Sequence, residues 1–350
     1  MKKLTAIFLC MLLLASTVSI VFTSSALNVS INAGLSSLKN QWVKDKSNGI
    51  EYMYYSPVKG SYDTTKYPVV IILHGKFSGD YNGHQLDGSD FAKWSSTEYQ
   101  ARFKNAGGAF IIMPISPGGA ISGWGTNYYD DQLFDLIDGF SAKYSKNVDN
   151  SRVSIGGWCV GGEGAVRIAA KQPERFSAVL AMVPYNGISK SEAKALADTP
   201  IWIVLSKNDT LAIYGTMGKP GWNNVKDNTN VPEKCRATVF EKYGYYDAFN
   251  HAVQYGVAND LLNQPSDSGM KTTDAKGNSI TLNENNAVIS WLSQQSLNDR
   301  PSHDEPEDNS CKCDCHSGNG FTRFIWKIKV FFWKIFSQSK RVCACGANHW

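Results

Sequence analysis

Histidine is scarce in this 350-residue chain, which holds six. With so few side chains that titrate near neutral pH, the search for a general base becomes a matter of elimination. Net charge is also largely missing from the body of the chain. The formal total is +4, yet Lys2 and Lys3 give +2, residues 298–310 give −4 and residues 311–350 give +6, so residues 27–297 balance to zero. A body without a basic surplus offers no electrostatic case for nucleic acid. Internal repeats are absent, which excludes solenoid and propeller architectures. Beyond the first 26 residues no stretch is long and apolar enough to cross a membrane.

The N-terminus carries what the rest lacks. Met1-Lys2-Lys3 precedes an apolar stretch at residues 4–22, and Thr23-Ser24-Ser25-Ala26 follows with small residues. This pattern predicts a secretory leader over residues 1–26, cleaved after Ala26, and hence a secreted or surface-associated protein. A retained membrane anchor is the alternative, because the run approaches spanning length. Cys10 has no small residues before it in that run, so it does not read as a lipidation site.

Residues 27–297 suffice for one large domain. Ile50-Glu51-Tyr52-Met53-Tyr54-Tyr55 alternates like a half-buried strand. Continuous apolar runs at residues 69–73, 109–113, 178–183 and 201–205 are of the kind buried on both faces of a parallel sheet. Between them lie helical patterns at 89–104, 130–144, 163–170 and 191–197, and residues 285–295 form a closing helix. Strands alternating with amphipathic helices predict an α/β fold with a doubly wound, mostly parallel sheet. Residues 213–234, rich in Gly, Asn and Pro, read as an irregular insertion, and residues 237–241 as the last strand.

One stretch organises this domain. Gly156-Gly157-Trp158-Cys159-Val160-Gly161-Gly162 follows the strand-like Arg152-Val153-Ser154-Ile155 and precedes a helix. Glycines two before and two after a central residue permit the sharp strand-to-helix turn that pushes the central side chain out at the sheet's edge. Here that side chain is the thiol of Cys159; the alternative is a buried structural cysteine. A nucleophile needs a base, and the base needs a group to orient it. His74 and His84 precede the turn, His303 lies in an acidic stretch, and His316 and His349 belong to a Cys-rich tail, so His251 is the candidate base. Asp209 follows a buried strand, at the sheet edge where ligands gather in open α/β folds, and is the candidate acid; Asp247 is its rival. The developing oxyanion needs preorganised N–H donors. Val160 supplies the amide after the nucleophile, and Gly75 and Lys76 in the loop after residue 73 are placed for the second. His74 reads as a structural holder of that loop. Trp124, Trp222, Tyr245 and Tyr246 are candidates for a substrate cleft or for packing.

On the Cys159 turn, on Leu73-His74-Gly75 and on the order Cys159, Asp209, His251, the domain resembles the α/β hydrolases, in particular secreted feruloyl and acetylxylan esterases and the polyhydroxybutyrate-depolymerase-like group. Those relatives carry serine at the turn, whereas dienelactone hydrolases resemble this chain in using Cys, Asp and His. The resemblance implies carboxylic-ester hydrolysis through an acyl-enzyme, with no cofactor for catalysis, on a small-molecule or polysaccharide ester such as acylated plant polysaccharide. A non-catalytic carbohydrate- or surface-binding protein on a degenerate hydrolase frame, and a peptidase of related fold, are the alternative readings.

Past the domain, residues 298–310 read as an acidic, Pro-containing linker. Residues 311–350 form a small Cys-rich tail, with Cys311, Cys313, Cys315 and His316 at one end and Cys343, Cys345 and His349 at the other of a basic, aromatic amphipathic helix over residues 321–336. So small a unit needs staples, either zinc or disulfides, and both stay open. Its basic aromatic helix predicts contact with an anionic cell envelope or membrane surface.

Overall fold

A computed structural model describes residues 37–76, 86, 89–117, 123–243 and 249–301. The chain divides into a unit ending at Arg300 and a second unit from Pro301 to Trp350. The tail cysteines and histidines, the helix expected over residues 321–336 and the leader expected over residues 1–26 lie outside the described residues.

Ten strands build one sheet: β1 (Val43–Ser47), β2 (Ile50–Tyr55), β3 (Tyr67–Leu73), β4 (Phe110–Ile115), β5 (Val148–Trp158), β6 (Ala178–Met182), β7 (Ile201–Ser206), β8 (Arg236–Phe240), β9 (Lys271–Asp274) and β10 (Ser279–Ile280). Their spatial order is β1-β2-β4-β3-β5-β6-β7-β8-β9-β10. The six strands from β4 to β8 pair in parallel, and both flanks are antiparallel. Seven helices accompany the sheet among the described residues: α1 (Thr97–Ala101), α2 (Asp130–Lys143), α3 (Val160–Lys171), α4 (Lys190–Ala195), α5 (Lys219–Asn228), α6 (Gln254–Ala258) and α7 (Val288–Gln294).

The continuous apolar runs follow from burial on two faces. Along β3, Val69, Ile71 and Leu73 join the core shared with Leu133, Phe134, Ile137 and Phe140 of α2. Val70 and Ile72 point the other way, into a core with Phe91, Trp94, Ile289 and Trp291. Successive strand residues face opposite sides, so a strand covered twice has no polar position to spare. Each such side chain contributes roughly 1.5–3 kcal/mol on burial.

Several expected elements differ in extent. The 89–104 helix is a 3-10 turn at Phe91–Ser95 and the short α1, separated by Ser96, which is extended and whose side chain caps the Tyr99 amide. The insertion at 213–234 is largely helical. A π turn (Tyr214–Gly218) leads into α5, where Pro220 sits in the first turn, a position that tolerates its missing N–H. Residues 237–241 are not the end of the sheet, because β9 and β10 extend it. Strand β1 went unforeseen: its sequence VKDKS is mostly exposed, and it is placed by pairing with β2 rather than by an apolar pattern. The domain runs past the expected boundary at 297, since Arg300 donates to the carbonyls of Pro173 and Phe176 and to Thr199 Oγ1.

Trp202 sits at the centre of the second core, edge-on to Trp291 at 5.3 Å, under the Arg236 guanidinium at 4.8 Å, and donating to Thr238 Oγ1 at 2.9 Å. Trp202→Ala should cost about 3–5 kcal/mol, read as a lower urea midpoint in equilibrium unfolding; a midpoint shift equivalent to less than about 1 kcal/mol would contradict this placement.

Candidate active site

Strand β5 ends at Trp158 and α3 begins at Val160, leaving Cys159 alone to make the turn at φ +58° and ψ −125°. A non-glycine residue in such a conformation costs on the order of 1–3 kcal/mol and persists only where its surroundings hold it. The Cys159 amide donates to Met182 O at 3.0 Å, and its carbonyl accepts from Glu163 N at 3.1 Å and Tyr185 N at 3.3 Å. Glycine is required on either side for reasons of space. A Cβ on Gly157 would come within 2.6 Å of Leu73 O, and one on Gly161 within 2.5 Å of His74 O. The start of α3 is thereby pressed directly against the end of β3, and Cys159 keeps 9% of its surface exposed.

Asp209 lies just past β7. Its Oδ1 accepts from the amides of Leu211 at 2.8 Å and Ala212 at 2.9 Å, which fixes the carboxylate plane. Its Oδ2 meets His251 Nδ1 at 2.7 Å. Asp209 and His251 are only 4% and 8% exposed. Burial pulls the His251 imidazole towards its neutral form, but the hydrogen bond it donates to Asp209 and its interactions with Asp209 and Cys159 outweigh it, raising the pKa to about 10. Cys159 is thus the ring's second electrostatic neighbour. The three side chains singled out in the sequence meet in one place; Asp247 lies outside the described residues.

The loop after β3 runs beside the thiol. A Cβ on Gly75 would stand 2.6 Å from Trp158 Nε1 and 3.2 Å from the Cys159 Cβ. Lys76 follows with an exposed side chain. His74 is buried and holds this loop: its Nε2 accepts from Ser116 N at 3.1 Å, so its Nδ1 carries the proton and donates to Gly75 O at 2.7 Å. With no carboxylate against it among the described residues, burial lowers its pKa to about 4, and it stays neutral.

Two of the candidate cleft aromatics are core residues. Trp124 is 1% exposed, with its ring 6.2 Å from that of His74, and Trp222 is buried with Ile188 and Val225. Both are large apolar side chains that the sheet's flanking helices absorb. Tyr245 and Tyr246 lie outside the described residues. Sequence reasoning missed Arg167, on α3 two turns beyond the thiol. Its guanidinium binds both oxygens of buried Asp130 and donates to Trp124 O at 2.9 Å and Thr126 O at 2.8 Å. It thereby fixes the segment whose Gly123 and Gly125 pack on Val160. An arginine on an amphipathic helix gives no sequence signal beyond a solvated face. Also missed was an apolar rim. Of the seven large apolar side chains exposed among the described residues, Tyr128, Tyr185, Leu211, Ile213 and Phe249 lie on segments following the C-terminal ends of β4, β6, β7 and β8. Phe249 O accepts from Thr210 N at 3.0 Å, which joins the segments carrying Phe249 and Leu211.

A solved structure titled "Crystal Structure of a Thermostable Esterase" superposes with a TM-score of 0.53 at 21% identity, covering 64% of this chain and 61% of that one. The fold is that of the α/β hydrolases. This chain therefore spans about three-fifths of the length of that esterase. A family model described as PET hydrolase-like matches residues 130–239, which include Cys159 and Asp209. An S-formylglutathione hydrolase from Agrobacterium tumefaciens aligns at 17% identity and a TM-score of 0.44, over 63% of this chain and 92% of that one. No curated protein matches.

Because the folded His251 ring holds its proton up to about 10, against 6.5 for the free group, its pairing contributes stability that is complete below pH 6.5 and is lost as pH rises through about 10. The gap in melting temperature between the wild type and His251→Gln should narrow between about pH 6 and about pH 10.5. A gap that widens over that range would contradict the raised pKa.

Proposed function

We propose that the protein is a carboxylic-ester hydrolase in which Cys159 is the nucleophile, His251 the base and Asp209 the group that orients and charges it. The observation that carries this reading is the buried Asp209–His251 hydrogen bond at 2.7 Å, with the strained Cys159 acting electrostatically on the same ring. A frame that only bound ligands would gain nothing from holding a thiol at a costly φ beside a charged imidazole.

The chemistry follows from these groups. With the thiol proton resting on His251, the Cys159 sulfur adds to the ester carbonyl carbon. The carbonyl electron pair moves onto oxygen, where the Val160 amide and an amide of the Gly75–Lys76 loop receive it. The adduct collapses to a thioester as the alkoxide departs with the proton held by His251. Water then gives a proton to His251 and adds to the thioester; collapse releases the carboxylic acid, and the sulfur leaves as a thiolate beside the imidazolium. Asp209 accepts from the ring Nδ1–H throughout and stabilises the imidazolium. The cationic ring and the N-terminus of α3 stabilise the negative charge that the sulfur carries as it leaves the thioester.

The substrate in this reading is an acylated plant polysaccharide, with a bulky or aromatic acyl group against the apolar rim of Tyr185, Leu211, Ile213 and Phe249. Residues 1–26 export the chain. The tail retains it at an anionic envelope, its Cys and His residues clamped by zinc or disulfides. A secreted thiol enzyme of this kind suits a reducing habitat.

Hydrolysis of p-nitrophenyl butyrate should be abolished by iodoacetamide and fall by at least about 10³-fold in Cys159→Ala. Asp209→Asn, which favours the wrong tautomer, should lower kcat by about 10²–10⁴-fold. Hydrolysis that survives complete alkylation of Cys159 would sink the thiol mechanism.

A further inference from the structure

A cavity of about 480 Å³ opens between α1, Tyr243 and the segment following α6. None of Cys159, Asp209 and His251 lines it. Its wall is built under strain. Asp260, Leu261 and Asn263 have φ of +60°, +56° and +54°, so three non-glycine residues within four positions are in the left-handed region. The segment is held on one side by Leu261, which is buried in the second core, and on the other by an ion pair. The Arg102 guanidinium donates to Asp260 Oδ2 at 2.7 Å and to Glu98 Oε1 at 2.8 Å, and lies 4.6 Å over the Tyr99 ring. The other Asp260 oxygen accepts from Ile289 N at 2.8 Å. One largely buried cation thus pins α1, the strained segment and α7 together.

The lining narrows the ligand. Tyr99 supplies an aromatic ring, and Asn263 and Gln264 supply carboxamides, which donate and accept. Among the described residues, the Tyr99 hydroxyl and the Asn263 carboxamide have no hydrogen-bond partner. An anion would gain little, because the Arg102 charge is already met by Asp260 and Glu98. A purely apolar ligand would desolvate the carboxamides without compensation. A neutral polyhydroxylated ring offers donors and acceptors at its edge and C–H faces for aromatic rings, and 480 Å³ lies within the range of ligand pockets.

We propose that this cavity is a saccharide-binding subsite, taking one or two sugar units of the glycan whose ester Cys159 cleaves; the last clause rests on the proposed function. Isothermal titration of the full chain with unacylated xylotetraose, cellotetraose and mannotetraose tests it. At least one should bind. Tyr99→Ala with Asn263→Gly should weaken that binding at least tenfold, and glycine keeps the left-handed backbone at position 263 accessible. Unchanged melting of the double variant separates loss of contacts from loss of fold. The saccharide should bind Cys159→Ala as tightly as the wild type, and should not compete with p-nitrophenyl acetate turnover. Absence of binding by all three, binding undiminished in the double variant, or competition with the small ester would overturn the subsite. Binding lost in the double variant by a protein that hydrolyses no ester would keep the subsite and reject the proposed function instead.

Discussion

Between the end of β3 and the start of α3 there is no room for a methyl group. The carbonyls of Leu73 and His74 occupy the space that side chains at Gly157 and Gly161 would need. This contact obliges the chain to leave β5 and enter α3 through a single residue, which sets Cys159 at φ +58° and turns its side chain out of the sheet. The same contact brings Gly75 alongside the thiol, so Cys159 and the loop after β3 come together because two backbones touch. Strain of on the order of 1–3 kcal/mol at one residue is small beside the two apolar cores above and below the sheet.

Electrostatics then separates two histidines of similar burial. Among the described residues His74 hydrogen-bonds to backbone, and burial leaves it neutral, with a pKa near 4. His251 faces a carboxylate whose other oxygen is occupied by two amides, and it is held protonated to about 10. The difference is the carboxylate. It makes one ring a fixture of the loop after β3 and the other a group able to hold and return a proton beside sulfur.

What the sequence displays is what short-range patterning encodes. Alternation over Ile50–Tyr55, the two-faced apolar runs and the helical spacing of Leu133, Phe134, Leu136, Ile137 and Phe140 all recur in the structure. The glycine frame of Cys159, and the positions of Asp209 and His251 relative to it, were legible because a turn chemistry and a strand end mark them. Features decided at long range were not. Strand β1 depends on pairing with β2, and β9 and β10 on the edge left open by β8. Arg167 is defined by carbonyls some forty residues away in sequence, and the strained wall at Asp260–Asn263 by Arg102. Trp124 and Trp222 show the converse: aromatic residues in loop-like sequence that the fold draws into its core.

The central claim is that sulfur at position 159 carries the acyl group. Mixing the protein with p-nitrophenyl butyrate, quenching in acid within one turnover and mapping peptides by mass spectrometry tests this directly. The account predicts a butyryl adduct on the peptide containing Cys159, labile to hydroxylamine as a thioester is, and absent in His251→Gln. Release of p-nitrophenol with that peptide unmodified, or with the acyl group on another residue, would contradict it.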